Sequence, residues 1–354
     1  MRIGIDARKI ADFGIGTYIR GLLRGLEEIG APEEYVVFAP SPVSPRFEHV
    51  PFDAPHYSAR ELIDLGRAIK KARLDLFHAP HYVVPFTGTP VVVTIHDLIH
   101  LHAKHRNPLK PLYARTMLGR AVRKSARVLT VSEAVKRDIV ATFGCAEEHV
   151  VVTPNGIDPQ FTLLRHSERS RGTWVEGGAP ATRPGPSTTL GMTGNFFLFV
   201  GNDKPHKNVD ALVDAFARVR IARPDLRLVL AGAPFARFAQ RDGVECIGFV
   251  DDLAPLYRGA LAVVVPSIEE GFGLPAAEAM ACGAAVITSH AAALVEVTGD
   301  AAIHTNDFAD AMLRVASDDA LRRELAHRGI ARAASFTWSS CAEKTRRVYL
   351  TSAF

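Results

Sequence analysis

The sequence predicts an α/β fold with two doubly wound, Rossmann-like domains that face each other across a cleft. At 354 residues, the chain exceeds the roughly 250–300 residues that a single hydrophobic core usually serves. Short β-branched runs alternate with longer helical patterns, which is typical of parallel sheets that are buried on both faces. The alternation starts afresh near residue 196, so two such domains are expected in one chain.

The first half of the chain carries the first set of elements. Its apolar runs predict strands at Ile3–Asp6, Tyr35–Phe38, Leu74–Phe77, Val91–Ile95, Val128–Val131 and Val150–Thr153. Helical spacing of apolar residues predicts helices at Thr17–Ile29, Ala59–Lys71, Leu109–Lys124 and Glu133–Thr142, the last with Ser132 as its N-cap. We therefore expect one doubly wound domain over residues 1–163.

The second half repeats the scheme. It predicts strands at Phe196–Val200, Leu226–Leu230, Val244–Ile247, Leu261–Val265, Ala285–Ile287 and Ala301–His304, and hence a second domain over 194–335. Residues 164–193 mix Gly, Pro, Ser and Thr without periodicity and predict a flexible insertion between the domains. An amphipathic helix over 336–354 could dock on either domain, so a crossing back to the first domain is one of two placements.

Composition narrows the class of protein. With 47% hydrophobic and 23% charged residues, the chain is globular rather than disordered or fibrous. Its 4 cysteines lie far apart, which argues against a disulfide framework and against a zinc ribbon. No apolar stretch reaches the length of a membrane span, and charges stand where a signal peptide needs its apolar segment. We expect a cytoplasmic protein.

The loop after one strand of the second domain carries the clearest functional pattern. Gly271 and Gly273 let the backbone approach a ligand closely, and Pro275 suits the first turn of a helix whose free N–H groups attract anions. Glu270 and Glu278 would flank a bound phosphate, where carboxylates accept hydrogen bonds from sugar hydroxyls. The alternative is an ordinary turn with solvated carboxylates.

A second glycine pair, Gly14 and Gly16, follows the first predicted strand. A dinucleotide-binding fingerprint would place a third glycine where Ile19 stands. This difference disfavours a nicotinamide-dependent oxidoreductase. A tight strand-to-helix turn remains an alternative reading of the pair.

Together these motifs resemble retaining glycosyltransferase family 4, which has GT-B architecture. Glu270 to Glu278 matches the family's E-x7-E motif, and the region from His96 to Leu98 is similar to bacterial polysaccharide mannosyltransferases. The likeness covers nearly the whole chain except the insertion near 164–193. Further family-like stretches are Thr94–Leu98, Val131–Glu133, Pro154–Asp158, Phe199–Asn202, Lys207–Asn208, Ile247–Val250 and Phe336–Trp338.

The resemblance implies that the second domain binds a nucleotide-diphosphate sugar. By this likeness, Glu278 bonds the ribose hydroxyls and Glu270 bonds the hydroxyls of the donor sugar. Gly273 and Leu274 begin the helix that receives the diphosphate, and the base lies against the backbone near Val250.

The resemblance also implies that positively charged side chains bind the diphosphate. The family usually supplies an Arg-Lys pair there, and the matching residues are His206 and Lys207. His206 lacks the bidentate fork of arginine and carries a partial charge near pH 7, so either His206 or Lys204 replaces the family arginine. The loop at Gly16 is expected to lie over the diphosphate when the domains close.

His96 ends a predicted strand, and the matching family histidine sits beside the donor sugar. His100, His102 and His105 follow closely, but no cysteine or carboxylate cluster completes a metal-ligand set. We therefore predict neither a metal nor a cofactor. The donor, with GDP or UDP as its nucleotide, is a substrate.

The first domain is expected to bind the acceptor. Eight basic residues and no acidic one lie between Asp97 and Glu133: Lys104, Arg106, Lys110, Arg115, Arg120, Arg123, Lys124 and Arg127. This basic stretch, 104–127, suits an anionic membrane at its inner face or a lipid-diphosphate acceptor. A solvated helix face is the alternative. No aromatic platform accompanies the charges, so nucleic acid is not expected.

The resulting hypothesis is a retaining, metal-independent hexosyltransferase that forms an α linkage on a glycan or lipid-linked glycan. The resemblance makes mannose from GDP-mannose the first choice. The alternative is a catalytically degenerate GT-B protein that binds a sugar nucleotide or serves as a scaffold.

Overall fold

The structure is a computed structural model that describes residues 1–53, 59–102, 109–162, 194–232 and 234–353. These residues form two compact units. The first unit comprises the described residues of 1–156 together with 337–353, and the second unit comprises the described residues of 157–336. The insertion predicted over 164–193 lies outside the described residues.

The elements are numbered in chain order. The strands are β1 (Arg2–Asp6), β2 (Glu34–Ala39), β3 (Glu48–Pro51), β4 (Leu76–Ala79), β5 (Val91–Ile95), β6 (Arg127–Thr130), β7 (Val150–Val152), β8 (Phe196–Gly201), β9 (Arg227–Gly232), β10 (Val244–Gly248), β11 (Ala262–Val265), β12 (Val286–Thr288) and β13 (Ile303–His304). The helices are α1 (Ile15–Glu28), α2 (Ala59–Ala72), α3 (Ile99–His102), α4 (Leu109–Lys124), α5 (Glu133–Phe143), α6 (Val209–Ala222), α7 (Ala254–Gly259), α8 (Leu274–Ala281), α9 (Ala292–Thr298), α10 (Phe308–Ser317), α11 (Asp319–Ala333) and α12 (Trp338–Ser352).

The first unit contains a seven-stranded sheet in the order β3-β2-β1-β4-β5-β6-β7, and every neighbouring pair is parallel. Successive side chains of a strand point to opposite faces. Accordingly, Val92 belongs to a core shared with α1 and α12, whereas Val91 and Val93 belong to a core shared with α2, α4 and α5. Burial on both faces explains why these strands are apolar without alternation.

The C-terminal helix α12 packs on α1 in the first unit. Trp338 begins this helix and packs closely against the backbone at two glycines, Gly21 and Gly156. A Cβ atom at Gly21 would lie 2.1 Å from the Trp338 ring, and one at Gly156 would lie 2.3 Å from the Trp338 backbone nitrogen. Only hydrogen at these two positions allows α12 to approach this closely.

The second unit contains a six-stranded sheet in the order β10-β9-β8-β11-β12-β13, again with parallel neighbours. Both units therefore show the doubly wound order in which the third, second, first, fourth, fifth and sixth strands lie side by side. The predicted pair of Rossmann-like domains is confirmed.

In the first unit some predicted boundaries were displaced and two elements were missed. The strand expected at Leu74–Phe77 is β4, two residues later, because Arg73 has a positive φ of 52° and turns the chain away from α2. The short edge strand β3 and the one-turn helix α3 were not predicted. The predicted N-cap of α5 is confirmed, since the Val135 amide donates to Ser132 Oγ at 3.2 Å.

Candidate active site

The strand order of the second unit reverses between β8 and β11. Ligands of doubly wound sheets bind outside the carboxyl ends of the strands at such a switch point. The loop after β8 contains Lys207, and the loop after β11 contains Glu270. The topology therefore brings together two of the residues that the sequence singled out.

Backbone contacts join these two loops. The Ile268 amide donates to the His206 carbonyl oxygen at 2.8 Å, and Asn208 Nδ2 donates to the Pro266 carbonyl oxygen at 3.2 Å. Asn208 has left-handed backbone angles, φ 56° and ψ 36°, a conformation that asparagine adopts more readily than most residues. These two hydrogen bonds hold the loops that carry Lys207 and Glu270 next to each other.

Lys207 and Glu270 form an ion pair at the switch point. Lys207 Nζ lies 2.6 Å from Glu270 Oε1, and Ser267 Oγ donates to the same carboxylate oxygen at 2.7 Å. The two side chains retain 15% and 9% of their exposure. An ammonium has three donors, so Lys207 can hold Glu270 and a further anion together. His206 is half-buried, and Lys204 is exposed.

The turn between Glu270 and α8 presents backbone amides. Gly273 is the N-cap of α8 with φ 90° and ψ 52°, a left-handed conformation that favours glycine. The Gly273 carbonyl accepts from the Ala276 and Ala277 amides, and Pro275 has no N–H. The amides of Gly273 and Leu274 are therefore the first donors that this helix start can offer to an anion.

Glu278 lies in α8 and is partly buried. Tyr257 Oη, from the buried face of α7, donates to Glu278 Oε2 at 2.8 Å. Burial raises the pKa of Glu278 to about 7, with a smaller upward contribution from Asp158, while the hydrogen bond from Tyr257 acts in the opposite direction. Its charge therefore changes near neutral pH. Sequence reasoning missed Tyr257, and no spacing relative to Glu278 marks it.

Val250 follows β10, the edge strand of the sheet. The preceding Gly248 has φ 70°, and Phe249 exposes 61% of its surface. Val250 is half-buried. Its predicted backbone contact with a base stays a prediction.

His96 follows β5 in the first unit. Its Nε2 donates to the Pro80 carbonyl oxygen at 3.1 Å, and its ring lies edge-on to Tyr18 with a centroid distance of 4.8 Å. Burial lowers the pKa of His96, so the ring is neutral at pH 7. Because a carbonyl only accepts, Nε2 carries the proton and Nδ1 is the hydrogen-bond acceptor.

A buried polar chain lies behind His96. Tyr349 Oη is 2.6 Å from His78 Nδ1, His78 Nε2 is 2.8 Å from Thr94 Oγ1, and Thr94 Oγ1 is 3.1 Å from Tyr18 Oη. Burial lowers the pKa of His78 to about 3, which keeps its ring neutral. The sequence signal was a histidine within an apolar strand, and it passed unnoticed.

Gly16 has a packing role that the sequence did not predict. It lies inside the first turn of α1, where an added Cβ would stand 2.4 Å from the Ile10 carbonyl oxygen. The left-handed position of this turn is Gly14, with φ 71°. Glycine at 16 is therefore required by the approach of the Lys9–Ile10 backbone. The expected position of this loop over a diphosphate stays a prediction.

The described part of the chain shows neither a metal-ligand cluster nor a membrane-spanning helix. It contains no group of three or more His, Cys, Asp or Glu side chains arranged to hold a metal ion. His100 and His102 lie on α3, and His105 falls outside the described residues. Across the same ranges, no helix combines the length and the apolar character needed to cross a membrane.

Two family models match the chain, one in each half. The family model described as "Glycosyltransferase Family 4" matches residues 14–161, and the one described as "Glycosyl transferases group 1" matches residues 194–318. Together they span more than three quarters of the chain, and the matched residues fall in both units. The chain belongs to glycosyltransferase family 4.

The chain is similar to a curated glycosyltransferase and to solved structures. It is 27% identical over 302 residues to O-antigen chain mannosyltransferase B of Escherichia coli, a match covering 80% of this chain and 76% of the relative. It superimposes on sucrose-phosphate synthase from Thermosynechococcus elongatus with a TM-score of 0.74 and 19% identity, covering 99% and 98% of the two chains. Anabaena Alr3699/HepE in complex with UDP-glucose gives a TM-score of 0.72 at 17% identity, covering 99% and 100%. The GT-B fold follows, and the enzyme is a glycosyltransferase that resembles polysaccharide mannosyltransferases.

Proposed function

We propose that this enzyme is a retaining hexosyltransferase that forms an α linkage on a glycan or lipid-linked glycan. The observation that carries the proposal is the Lys207–Glu270 pair at the switch point of the second unit, with Glu278 in the helix that follows. The likeness to an O-antigen mannosyltransferase favours mannose from GDP-mannose. The structural neighbour solved with UDP-glucose keeps a UDP donor as the second candidate.

The donor is bound by groups of the second unit. Lys207 and the amides of Gly273 and Leu274 bind the diphosphate, because they combine a cation with a helix N-terminus. Glu270 accepts hydrogen bonds from the donor sugar. Glu278 bonds the ribose through lone pairs that Tyr257 leaves available, and the base lies near Val250. His206 or Lys204 adds a second positive group to the same loop.

Chemistry proceeds at the face from which the diphosphate leaves. The bond between the anomeric carbon and the phosphate oxygen breaks, and its electron pair stays with the diphosphate. The acceptor hydroxyl attacks that same face, forms the new bond to carbon, and passes its proton to the departing diphosphate. Lys207 and the helix amides stabilise the developing negative charge. His96, through Nδ1, accepts a hydroxyl of the donor sugar and orients it.

The enzyme achieves this without a divalent cation, because side chains and amides supply the positive potential. The prediction is that EDTA leaves the rate within about twofold of the untreated enzyme, a change too small to reflect a lost charge interaction in the transition state. A loss that added Mg²⁺ or Mn²⁺ restores would contradict this part of the proposal.

The first unit contacts an anionic membrane or a lipid-diphosphate acceptor through the basic stretch. On α4, Arg115, Arg120 and Arg123 accompany Leu112, which exposes 62% of its surface. The Arg120 guanidinium lies 4.7 Å from the ring centre of Phe86, itself 56% exposed. Basic groups beside exposed apolar groups suit a lipid interface. Lys104 and Arg106 fall outside the described residues.

The first experiment measures the thermal shift of the full chain with GDP, UDP, ADP and their sugars. We expect stabilisation by one nucleotide that Lys207→Ala and Glu278→Ala both weaken, whereas Lys344→Ala, on α12, does not. Stabilisation without turnover on any glycan acceptor would favour the degenerate scaffold. No shift with any nucleotide would contradict the donor site itself.

A further inference from the structure

The strand order of the first unit also reverses once, between β1 and β4. Side chains of the protein occupy the switch point there. Asp6, the last residue of β1, accepts from Arg8 Nε at 2.9 Å, from Arg8 Nη2 at 2.6 Å and from His81 Nε2 at 3.0 Å. The side chain of Asp6 is 0% exposed, that of Arg8 1% and that of His81 4%. Glu61, also fully buried, pairs with Arg8 at 2.8 Å.

The hydrogen bonds of His81 fix its tautomer. The Val83 amide donates to His81 Nδ1 at 3.1 Å, and only an unprotonated ring nitrogen accepts. In the neutral ring the proton is therefore on Nε2, which donates it to Asp6 Oδ2. Burial alone would raise the pKa of Asp6, but the hydrogen bonds from Arg8 and His81 lower it well below its usual range, so Asp6 accepts as a carboxylate.

This pair ties the loop after β4 to the end of β1. The residue between β4 and His81 is Pro80, whose carbonyl oxygen belongs to the peptide bond that leads into His81. The same oxygen accepts from His96 Nε2. The Pro80 carbonyl therefore keeps the proton of His96 on Nε2 and helps to place the ring, together with the edge-on contact to Tyr18. The described residues offer no hydrogen bond to His96 Nδ1.

We propose that Asp6 and His81 are positioning residues that hold the Pro80 carbonyl, and through it the His96 ring, with Nδ1 presented to the donor sugar. The inference rests on the proposed function only in its last step, the contact between Nδ1 and the sugar. Burying a charged cluster costs desolvation energy that an apolar filling would avoid. In this proposal, the role of the buried cluster is to fix the direction of the Pro80 carbonyl, which an apolar filling could not do.

The test begins with the unmodified full chain. Nitrogen-15 spectra of its histidine side chains distinguish the two neutral tautomers, and His96→Gln assigns the His96 signal. We expect the Nε2-protonated form for both His81 and His96. A His96 signal from the Nδ1-protonated form would overturn the proposal without any further variant.

Two substitutions then separate the roles of the two His81 nitrogens. In His81→Asn the side-chain oxygen can still accept from the Val83 amide, but the residue is too short to donate to Asp6. In His81→Gln the amide nitrogen reaches the position of Nε2. We expect His81→Asn to give a mixture of His96 tautomers and about a tenfold lower kcat, with donor KM within about twofold. His81→Gln should recover most of both properties.

His49 provides the matched control. Its Nε2 donates to the Ala39 carbonyl oxygen at 2.9 Å in the same sheet, from β3, so His49→Asn removes a comparable bond without touching the switch point. An unchanged His96 signal in His81→Asn would overturn the positioning role. A changed signal with unchanged kcat would leave that role intact and contradict the proposed contact of His96 with the sugar.

Discussion

The two units have the same strand order but fill their switch points differently. In the first unit the position between β1 and β4 contains Asp6, Arg8 and His81, whose side chains are at most 4% exposed. In the second unit the position between β8 and β11 contains Lys207 and Glu270, which are 15% and 9% exposed. The charges of the first site are paired with one another inside the unit, whereas the second site is the one that we propose binds the donor. In this proposal, the same strand order supports a buried charge cluster in one unit and a binding site in the other.

The largest expected effect is a loss of stability in the first unit. Asp6→Ala would leave the Arg8 guanidinium buried without its main partner, which costs about 3–5 kcal/mol. Because the pKa of Asp6 is lowered in the folded state, its stabilisation is complete above the unfolded pKa of about 4 and is lost only as the pH falls through the folded value. The loss should therefore be equal at pH 6 and pH 8.

Hydrogen exchange of the β1 and β4 amides measures this loss within the first unit. Lys207→Ala is the paired variant, and it should change protection in β8 and β11 by less than about 1 kcal/mol, because its ion pair is partly solvated. Equal losses of protection from the two variants would remove the distinction between a buried charge cluster and a binding site.

For catalysis we expect a large effect from Lys207→Ala, the variant with the smaller effect on stability. Lys207→Ala removes a cation aimed at the departing diphosphate and should lower kcat/KM by about 10²–10³-fold. Lys207→Arg should recover part of the rate, since charge is kept but the point-like ammonium is not. Initial rates with the donor identified by thermal shift measure the effect, with Lys344→Ala as the control. A decrease in kcat/KM of less than about threefold would contradict a role of Lys207 in the reaction.

The sequence predicted the second switch point better than the first. Glu270, Gly273 and Glu278 fall within nine positions of one strand-loop-helix segment, so local spacing and glycine chemistry identify them. Lys207 is distant in the chain, and family likeness placed it. The contact between Lys207 and Glu270 still required the adjacency of β8 and β11, which follows from the doubly wound order.

Contacts that depend on tertiary packing could not be predicted in this way. Asp6 and His81 are 75 residues apart, and neither residue lies in a motif. Tyr257 reaches Glu278 from α7 across 21 residues. The edge strand β3 was missed because its residues are exposed or half-buried and so lack an apolar run. Periodicity reports which side chains are buried, but not which buried side chains meet.

The titration of Glu278 offers a smaller test of the second site. Its pKa is raised to about 7, and the carboxylate is the form that accepts hydrogen bonds from two ribose hydroxyls. Donor affinity should therefore rise by roughly tenfold between pH 6 and pH 8. The folded state binds more protons than the unfolded chain between about pH 4.5 and pH 7, so the contribution of Glu278 to stability falls as the pH rises through that range.

Isothermal calorimetry with a nucleotide-diphosphate sugar measures this dependence, because such a ligand has no phosphate that titrates in this range. Glu278→Gln is the control and should bind weakly at every pH between 6 and 8. If the variant retains the slope of the wild type, another group is responsible for it.

The smallest expected effect comes from removing the hydroxyl of Tyr257. It is compared with the same change at Tyr349, a buried tyrosine of the first unit. Tyr257→Phe keeps the ring, which lies edge-on to Phe161 at 5.7 Å, and removes only the bond to Glu278. That bond lowers the pKa of Glu278, so its loss should move the midpoint of the affinity profile to higher pH and reduce affinity at pH 7 by a few-fold, about 1 kcal/mol. The two proteins should converge only at about pH 9, where both carboxylates are ionised.

The matched variant is Tyr349→Phe, which removes a hydroxyl 2.6 Å from His78 in the first unit. It should leave the donor midpoint unchanged, because in the first unit such contacts brace the fold. A midpoint that moves equally in both variants would mean that the shift reflects general loosening rather than the Tyr257–Glu278 bond.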